Sequence, residues 1–278
     1  MNGWQVIPEI IGCSAPLRVA AMQAIDAVEF GRHFVVEGEA GSGRRMLARS
    51  AWNRRRTGTR SLFTMDCRMF PSDGAESFLF GEHPSCGSQN TIQPGKLNLA
   101  TGGGLLLLHA ECLSLQTQAR LAHSLDQYRC CPRGEGIQLL MTCTASRNDH
   151  LSLHPDLAGL LLHVRLPALR ERTDDIRAIA ESFLRNASPF ERIECSQALI
   201  DRFRAYDWPG NVTELRSVLR RLALHAHDSI LDVRHLSELP CRDETCFALL
   251  RGMPYSDCSS LAGSFIPQES AFERWSLQ

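Results

Sequence analysis

Gly38-Glu39-Ala40-Gly41-Ser42-Gly43-Arg44-Arg45 is the stretch on which the fold turns. It follows a short apolar run, His33 to Val36, that ends at Gly38, and it precedes a helical pattern from Met46 to Trp52. A strand passing through a glycine-rich turn into a helix is the setting of a phosphate-binding loop. Glycines there let backbone N–H groups converge on an anion at the helix N-terminus. The spacing fits G-x-x-x-x-G-K-[ST] except at its two chemical positions, where Arg44 replaces lysine and Arg45 replaces the hydroxyl residue. Taken alone, the segment fits a glycine turn without a ligand equally well.

Outward from this loop, other apolar runs of the same kind recur. Leu105 to Leu108 is entered through Gly102-Gly103-Gly104, Ile137 to Cys143 reads IQLLMTC, and Leu62 to Cys67 is a further candidate. Short, continuous runs bounded by glycine or polar residues fit buried strands of a mostly parallel sheet. Helical spacing lies between them, as in Leu113 to Leu125 with Leu115, Ala119 and Ala122, so strands and helices alternate in an α/β layer fold. After Leu166-Pro167 the pattern changes. Ile176, Ile179, Ala180, Phe183 and Leu184 follow the helical period. Ser196 is placed to cap a second helix through Leu199, Ile200 and Phe203. Asp207-Trp208-Pro209-Gly210-Asn211 breaks the chain before a third helix with Val212, Leu215, Val218, Leu219 and Leu222. No strand pattern is evident between about 170 and 238, and the residues from Cys241 onward are polar and irregular.

Composition narrows the function classes. The 278 residues are 44% apolar and 22% charged, as in an ordinary folded chain. A net charge of -1 supplies no general field for nucleic acid or an anionic membrane. The longest apolar runs fall far short of the roughly 20 residues a membrane span needs. The start, MNGWQVIPEIIG, lacks the features of a secretory leader, so a cytoplasmic location is expected. The 11 cysteines are scattered without a C-x-x-C pair, which fits reduced thiols and supports no structural metal. Lys96 is the single lysine.

Several segments, in order and spacing, carry a resemblance. They are Ile11-Gly12-Cys13-Ser14, GEAGSGRR, Met65-Asp66-Cys67, Glu76-Ser77-Phe78-Leu79-Phe80-Gly81, and ATGGGLLLL from Ala100 to Leu108. Leu166-Pro167-Ala168-Leu169-Arg170-Glu171-Arg172 and WPGNVTELRSVLRR from Trp208 to Arg221 complete the set. From about residue 9 to residue 240 the chain resembles the AAA+ central domain of bacterial sigma-54-dependent transcription activators, the enhancer-binding proteins. The resemblance implies a three-layer parallel-sheet P-loop domain over residues 1–169, a small all-α lid over 170–238, and a tail over 239–278. It also implies a nucleotide site at Gly38, Glu39, Ala40, Gly41, Ser42, Gly43, Arg44 and Arg45. Members of the family form ATP-driven rings that remodel polymerase carrying the alternative sigma factor.

The chemistry of such a motor is depleted here. Arg44 keeps the charge of the family's lysine, but its bulkier planar group cannot simply take the ammonium's place. Active relatives end the second of these strands in Asp-Glu, the first holding Mg²⁺ and the second polarising the attacking water. Aligned through Gly102-Gly103, those positions are Leu108 and His109. Leucine offers no oxygen donor for Mg²⁺. Glu111 is a substitute only if its side chain returns to the site, and past the strand end it is expected to point elsewhere. Thr144 or a neighbour stands where the family's polar sensor lies, Asp66 where an asparagine restrains the catalytic glutamate, and Thr213 where the lid's sensor arginine belongs. Asp156 to Val164 contains no arginine, whereas the family reaches from this segment into the neighbouring subunit's site. An arginine acting in trans is worth about 10³–10⁵ in rate. No catalytic residue is therefore assigned, and hydrolysis is not expected, while binding of ATP or ADP stays open.

Other functional parts of the family are missing as well. The GAFTGA loop that touches the sigma factor is replaced by Glu82-His83-Pro84-Ser85-Cys86-Gly87-Ser88-Gln89-Asn90, so direct sigma-54 contact is not expected. The tail from Cys241 has three basic residues (Arg242, Arg251, Arg274) against five acidic ones (Asp243, Glu244, Asp257, Glu269, Glu273), the wrong balance for a DNA-binding module. Arg44, Arg45, Arg49, Arg54, Arg55, Arg56 and Arg60 form a basic concentration that reads as a solvated helix end or an anion-holding surface. These readings lead to a degenerate AAA+ regulator that works through an active relative, without metal, DNA or membrane contacts. The rival is a working ATPase using Arg44 for the phosphates and Glu111 or His109 as acid and base.

Overall fold

The computed structural model describes residues 10–54, 61–70, 74–82, 93–129, 136–145, 153–187, 193–225 and 229–238. Two compact units emerge, Met1–Ile179 with Gly210–Thr213, and Ala180–Pro209 with Glu214–Gln278.

The first unit is an α/β sheet structure. Helix α1 (Ala15–Glu29) leads to β1 (Phe34–Gly38), α2 (Arg44–Asn53), β2 (Leu62–Asp66) and α3 (Gly74–Phe80). A short antiparallel pair, β3 (Gly81–Glu82) with β4 (Gln93–Pro94), is followed by α4 (Lys96–Leu99) and β5 (Gly104–Leu108). The unit continues through α5 (Leu115–Arg129), β6 (Gln138–Thr144), α6 (Pro155–Leu160) and β7 (Leu162–Arg165). The main sheet runs β2-β5-β6-β1-β7, with every neighbouring pair parallel.

The period-2 alternation of the strands feeds two cores. Val35, Leu105, Leu107, Leu139 and Met141 join α5 residues Leu121, Ala122 and Leu125 on one face. Phe34, Val36, Leu106, Leu108, Leu140 and Val164 join α1 and α2 residues on the other. All five positions of β5 are buried, which explains its unbroken apolar run. The connection out of β1 runs to β2 at one edge of the sheet, and the one out of β6 passes β1 to reach β7 at the other edge, so the glycine loop leaves the carboxyl end of an interior strand.

The second unit holds most of α7 (Asp175–Ala187) and of α9 (Asn211–His225), with α8 (Gln197–Ala205) and α10 (Val233–Glu238). Ser196 caps α8 by accepting the Leu199 N–H (3.2 Å). Trp208 is fully buried, stacks edge-on against Phe203 and Tyr206, and donates its indole N–H to the Phe203 carbonyl at 2.6 Å.

Four elements go beyond the sequence reading. β7 forms where only an arginine-free connection was expected. A two-residue parallel pair, β8 (Glu194–Cys195) with β9 (Ile230–Leu231), lies in the stretch read as purely helical. Helix α1 buries mostly alanines (Ala20, Ala21, Ala24, Ala27) and so gave little apolar signal. Among the described residues no helix is long and apolar enough to cross a membrane.

Candidate functional site

The loop after β1 delivers the chain into α2. Gly41 (φ +73°) and Gly43 (φ +105°) adopt left-handed conformations that side chains rarely take. A Cβ on Gly41 would lie 2.2 Å from the Gly210 carbonyl oxygen and 3.1 Å from Thr213 Oγ1, so the backbone is pressed against the 210–213 turn. At Gly43 no described residue beyond its chain neighbours comes within 4 Å of such an atom. Gly43 is also the N-cap of α2 and brings no side chain to cap the first turn, the setting in which helix N-termini receive anions.

Buried polar groups hold this loop from behind. Arg172 is buried and donates Nη2 to the Ser42 carbonyl at 2.8 Å. Burial pulls its pKa below the ordinary arginine value, opposed by the nearby Asp175 charge. Arg170 forms a two-pronged ion pair with Glu39. Asn211 donates Nδ2 to the Ala40 carbonyl (3.0 Å) and to Glu39 (3.2 Å), while its Oδ1 accepts the Leu169 N–H (2.7 Å). Fully buried Asp175 accepts from the Cys13 N–H (2.7 Å), the Ser14 N–H (2.9 Å) and Ser14 Oγ (2.6 Å), tying the start of α1 to the same region.

Arg44 is 7% exposed, and its Nη1 donates to Thr144 Oγ1 (2.8 Å) at the end of β6. The guanidinium thus spans from the loop to the sensor position. Arg45, Arg49 and Arg54 are exposed on α2, whereas Arg55, Arg56 and Arg60 lie outside the described residues. Leu108 is 5% exposed and packs in the α1–α2 core, so the last residue of β5 belongs to the interior. His109 follows in a left-handed conformation (φ 55°), its N–H donated to Thr142 Oγ1 at 3.2 Å.

Glu111 departs from expectation. It does not point away: a 3-10 turn over Ala110–Cys112 folds it back, and its Oε1 accepts the Thr144 N–H at 3.0 Å with His109 Nδ1 3.5 Å away. Burial pushes its carboxyl upward, but hydrogen bonds from His109 and Thr144 outweigh burial and hold the pKa at about 2. Asp66, at the end of β2, behaves similarly. Burial raises its pKa, and the stronger combined effect of Arg68, which bonds it through the backbone N–H (3.1 Å), Nε (3.1 Å) and Nη2 (2.8 Å), brings it below the ordinary value.

The residues fit a phosphate better than they fit its magnesium. The glycine loop, the helix start at Gly43 and Arg44 offer positive potential. The two donors a bound Mg²⁺ needs, a hydroxyl after the loop and a carboxylate at the strand tip, are Arg45 and Leu108. The nearby acids Asp66 and Glu111 are committed to Arg68 and Thr144. Among the described residues no group of three or more His, Cys, Asp or Glu is placed to hold a metal ion.

A sequence model of the sigma-54 interaction domain matches residues 10–145, and one of the AAA+ ATPase lid domain matches residues 170–243. The chain belongs to the AAA+ sigma-54 activator family. Among curated relatives it is similar to the anaerobic nitric oxide reductase transcription regulator NorR of Vibrio vulnificus, 34% identical over 238 residues, covering 78% of this chain and 46% of that protein. Regulatory protein LuxO of Vibrio parahaemolyticus is 29% identical over 232 residues, covering 77% and 51%. Transcriptional activator RocR of Bacillus subtilis is 27% identical over 224 residues, covering 76% and 49%. The chain spans about half the length of these relatives. Among solved structures, NtrX from Brucella abortus in complex with ADP superposes with TM-score 0.68 at 18% identity, covering 87% of this chain and 60% of NtrX, a likeness of fold.

Within this family frame, sequence reasoning located the loop, Leu108, His109 and Thr144. It quoted Arg170, Arg172 and Asn211 as family motifs without giving them a role, and the structure makes them the loop's supports. The arginine-free segment ends at Arg165, 80% exposed and paired with Glu171 at 3.2 Å. Residues 83–90, where the sigma-contacting loop was judged lost, and the tail from Cys241 lie outside the described residues.

Proposed function

We propose that this sigma-54-family regulator is a pseudo-ATPase that controls transcription through contacts with an active AAA+ relative. In this reading residues 1–169 form the nucleotide-binding-like domain, 170–238 the lid and 239–278 a tail without a DNA-binding module. Gly38, Glu39, Ala40, Gly41, Ser42, Gly43, Arg44 and Arg45 cradle the phosphates of ATP or ADP, and hydrolysis does not follow. The protein works in the cytoplasm, without touching DNA, membrane or sigma-54 directly.

The observation that carries this reading is the tip of β5. Leu108 is buried in the core where a motor needs a metal-binding carboxylate, and Arg44 is drawn onto Thr144. Without an in-trans arginine in Asp156 to Val164, the chain cannot complete a neighbour's site, so docking makes it an antagonist or a scaffold. The test is to mix the full chain with an active sigma-54 activator and follow that activator's ATPase rate. Association with a lowered rate is expected. Absence of association together with an unchanged rate would overturn the proposal.

One observation favours a second reading. Glu111 is ionised at neutral pH and sits at the strand edge beside Thr144. Were it a general base, phosphate release would need Mg²⁺ and would disappear in Glu111→Gln.

A further inference from the structure

We infer that the glycine loop takes a nucleoside diphosphate without a divalent metal, the Arg44 guanidinium serving as its built-in counter-charge. The inference rests on the reading that this loop cradles nucleotide phosphates, and it adds which nucleotide is held and how its charge is met.

In a P-loop site the metal bridges the terminal phosphates and neutralises them, held by a hydroxyl at the loop end and an acid at the strand tip. Here those positions are Arg45 and Leu108, the first a cation and the second part of the α1–α2 core. Neither donates an oxygen to Mg²⁺. The positive charge that the metal would bring is already in the protein. Arg44 is 7% exposed and anchored by Thr144 Oγ1 at 2.8 Å, so the cation is fixed before any ligand arrives. Guanidinium is charged at all working pH values and presents five donors in a planar fork, which suits phosphate oxygens.

The surrounding charges agree. Glu39, the acid within the loop, is paired with Arg170, so it does not oppose an incoming anion. Arg172 braces the Ser42 carbonyl behind the loop. The N-cap Gly43 brings no side-chain cap to α2, and no described residue beyond its chain neighbours comes within 4 Å of the position a Cβ would take there.

The same geometry sets the number of phosphates. Thr144 is shared: its hydroxyl accepts from Arg44, and its N–H donates to Glu111. Thr144 therefore links the guanidinium to a carboxylate through its own two polar groups. Each phosphate beyond the second brings more negative charge to this edge, with no metal to bridge it to the carboxylate. The diphosphate is the form in which loop, helix end and Arg44 meet the ligand's charge without that repulsion.

Calorimetry on the full chain with ADP and with ATP, each in Mg²⁺ and in EDTA, tests this. ADP affinity is expected to stay within about twofold between Mg²⁺ and EDTA, and ATP to bind no more tightly than ADP. Arg44→Ala is expected to weaken ADP by about tenfold or more, since it deletes a charge-assisted contact. Should that variant not fold, the metal comparison on the unaltered chain still decides. Tightening of either nucleotide by about tenfold in Mg²⁺, or a tenfold preference for ATP, overturns the inference and leaves the pseudo-ATPase reading standing, since binding is not turnover. Absence of heat with both nucleotides overturns the inference and the reading of the loop as a phosphate cradle, but not the partner-contact reading, which is scored on the relative's ATPase rate.

Discussion

Replacing Leu108 by aspartate puts a carboxylate back at the strand tip and asks whether that tip belongs to the site or to the core. Leu108 is 5% exposed and packs with Val36, Leu106, Leu140, Val164 and Leu166. Removing a leucine from such a place costs about 2–5 kcal/mol. The new carboxyl must also leave water, and holding it neutral at pH 7 through a shift of about 3 units adds about 4 kcal/mol. Some solvent reaches a strand end, so the expected loss is at least about 3 kcal/mol, a large part of the roughly 5–15 kcal/mol that stabilises a domain. Urea unfolding followed by circular dichroism measures it, with Leu108→Met as a volume-conserving control expected to cost under about 1.5 kcal/mol. Mg²⁺ should not raise the midpoint of Leu108→Asp. A variant within about 1 kcal/mol of the natural chain, and stabilised further by Mg²⁺ through binding linkage, would refute the reasoning, since the tip would then face the metal.

Gly41→Ala forces a left-handed residue to carry a Cβ 2.2 Å from the Gly210 carbonyl oxygen. A loss of about 1–3 kcal/mol by chemical denaturation is expected, and a neutral effect contradicts the close packing of loop and turn. The folded-state pKa of Glu111, at about 2, lies below its ordinary 4.5, so its contribution is complete above about pH 4.5 and is lost as pH falls toward 2. The stability of Glu111→Gln should accordingly fall less steeply than that of the natural chain over that window, as read from urea midpoints at stepped pH. Burial pushes Cys67 up to about 12 and raises Cys143 too, while Cys13 and Cys112 are exposed. Brief alkylation at neutral pH, mapped by peptide mass spectrometry, should label Cys13 and Cys112 before Cys67, Cys143 and Cys195.

The parts of the fold that were legible are those whose burial is two-sided. Phe34 to Val36, Leu105 to Leu108 and Leu139 to Met141 are apolar without interruption because helices cover both faces of the sheet there. β7 escaped because it is an edge strand, with His163 and Arg165 exposed and Val164 alone fully buried. The β8–β9 pair is two residues long on each side, below any periodicity. At the site, the want of an oxygen donor at Leu108 could be read directly, because identity alone decides whether such an atom exists. The direction of Glu111 could not. It depends on the left-handed turn at His109, a conformation that a non-glycine residue does not announce. Nor could the burial of Arg44, since arginine reads as surface until Thr144 is seen to receive it.

The central claim is that ATP is not turned over at this edge. Steady-state phosphate release by the purified full chain, with ATP and Mg²⁺ and with Arg44→Ala as the matched background, tests it most directly. The account predicts identical traces for the two proteins, at the level of ATP alone. Release by the natural chain that rises with Mg²⁺ and falls to background in both Arg44→Ala and Glu111→Gln would contradict it.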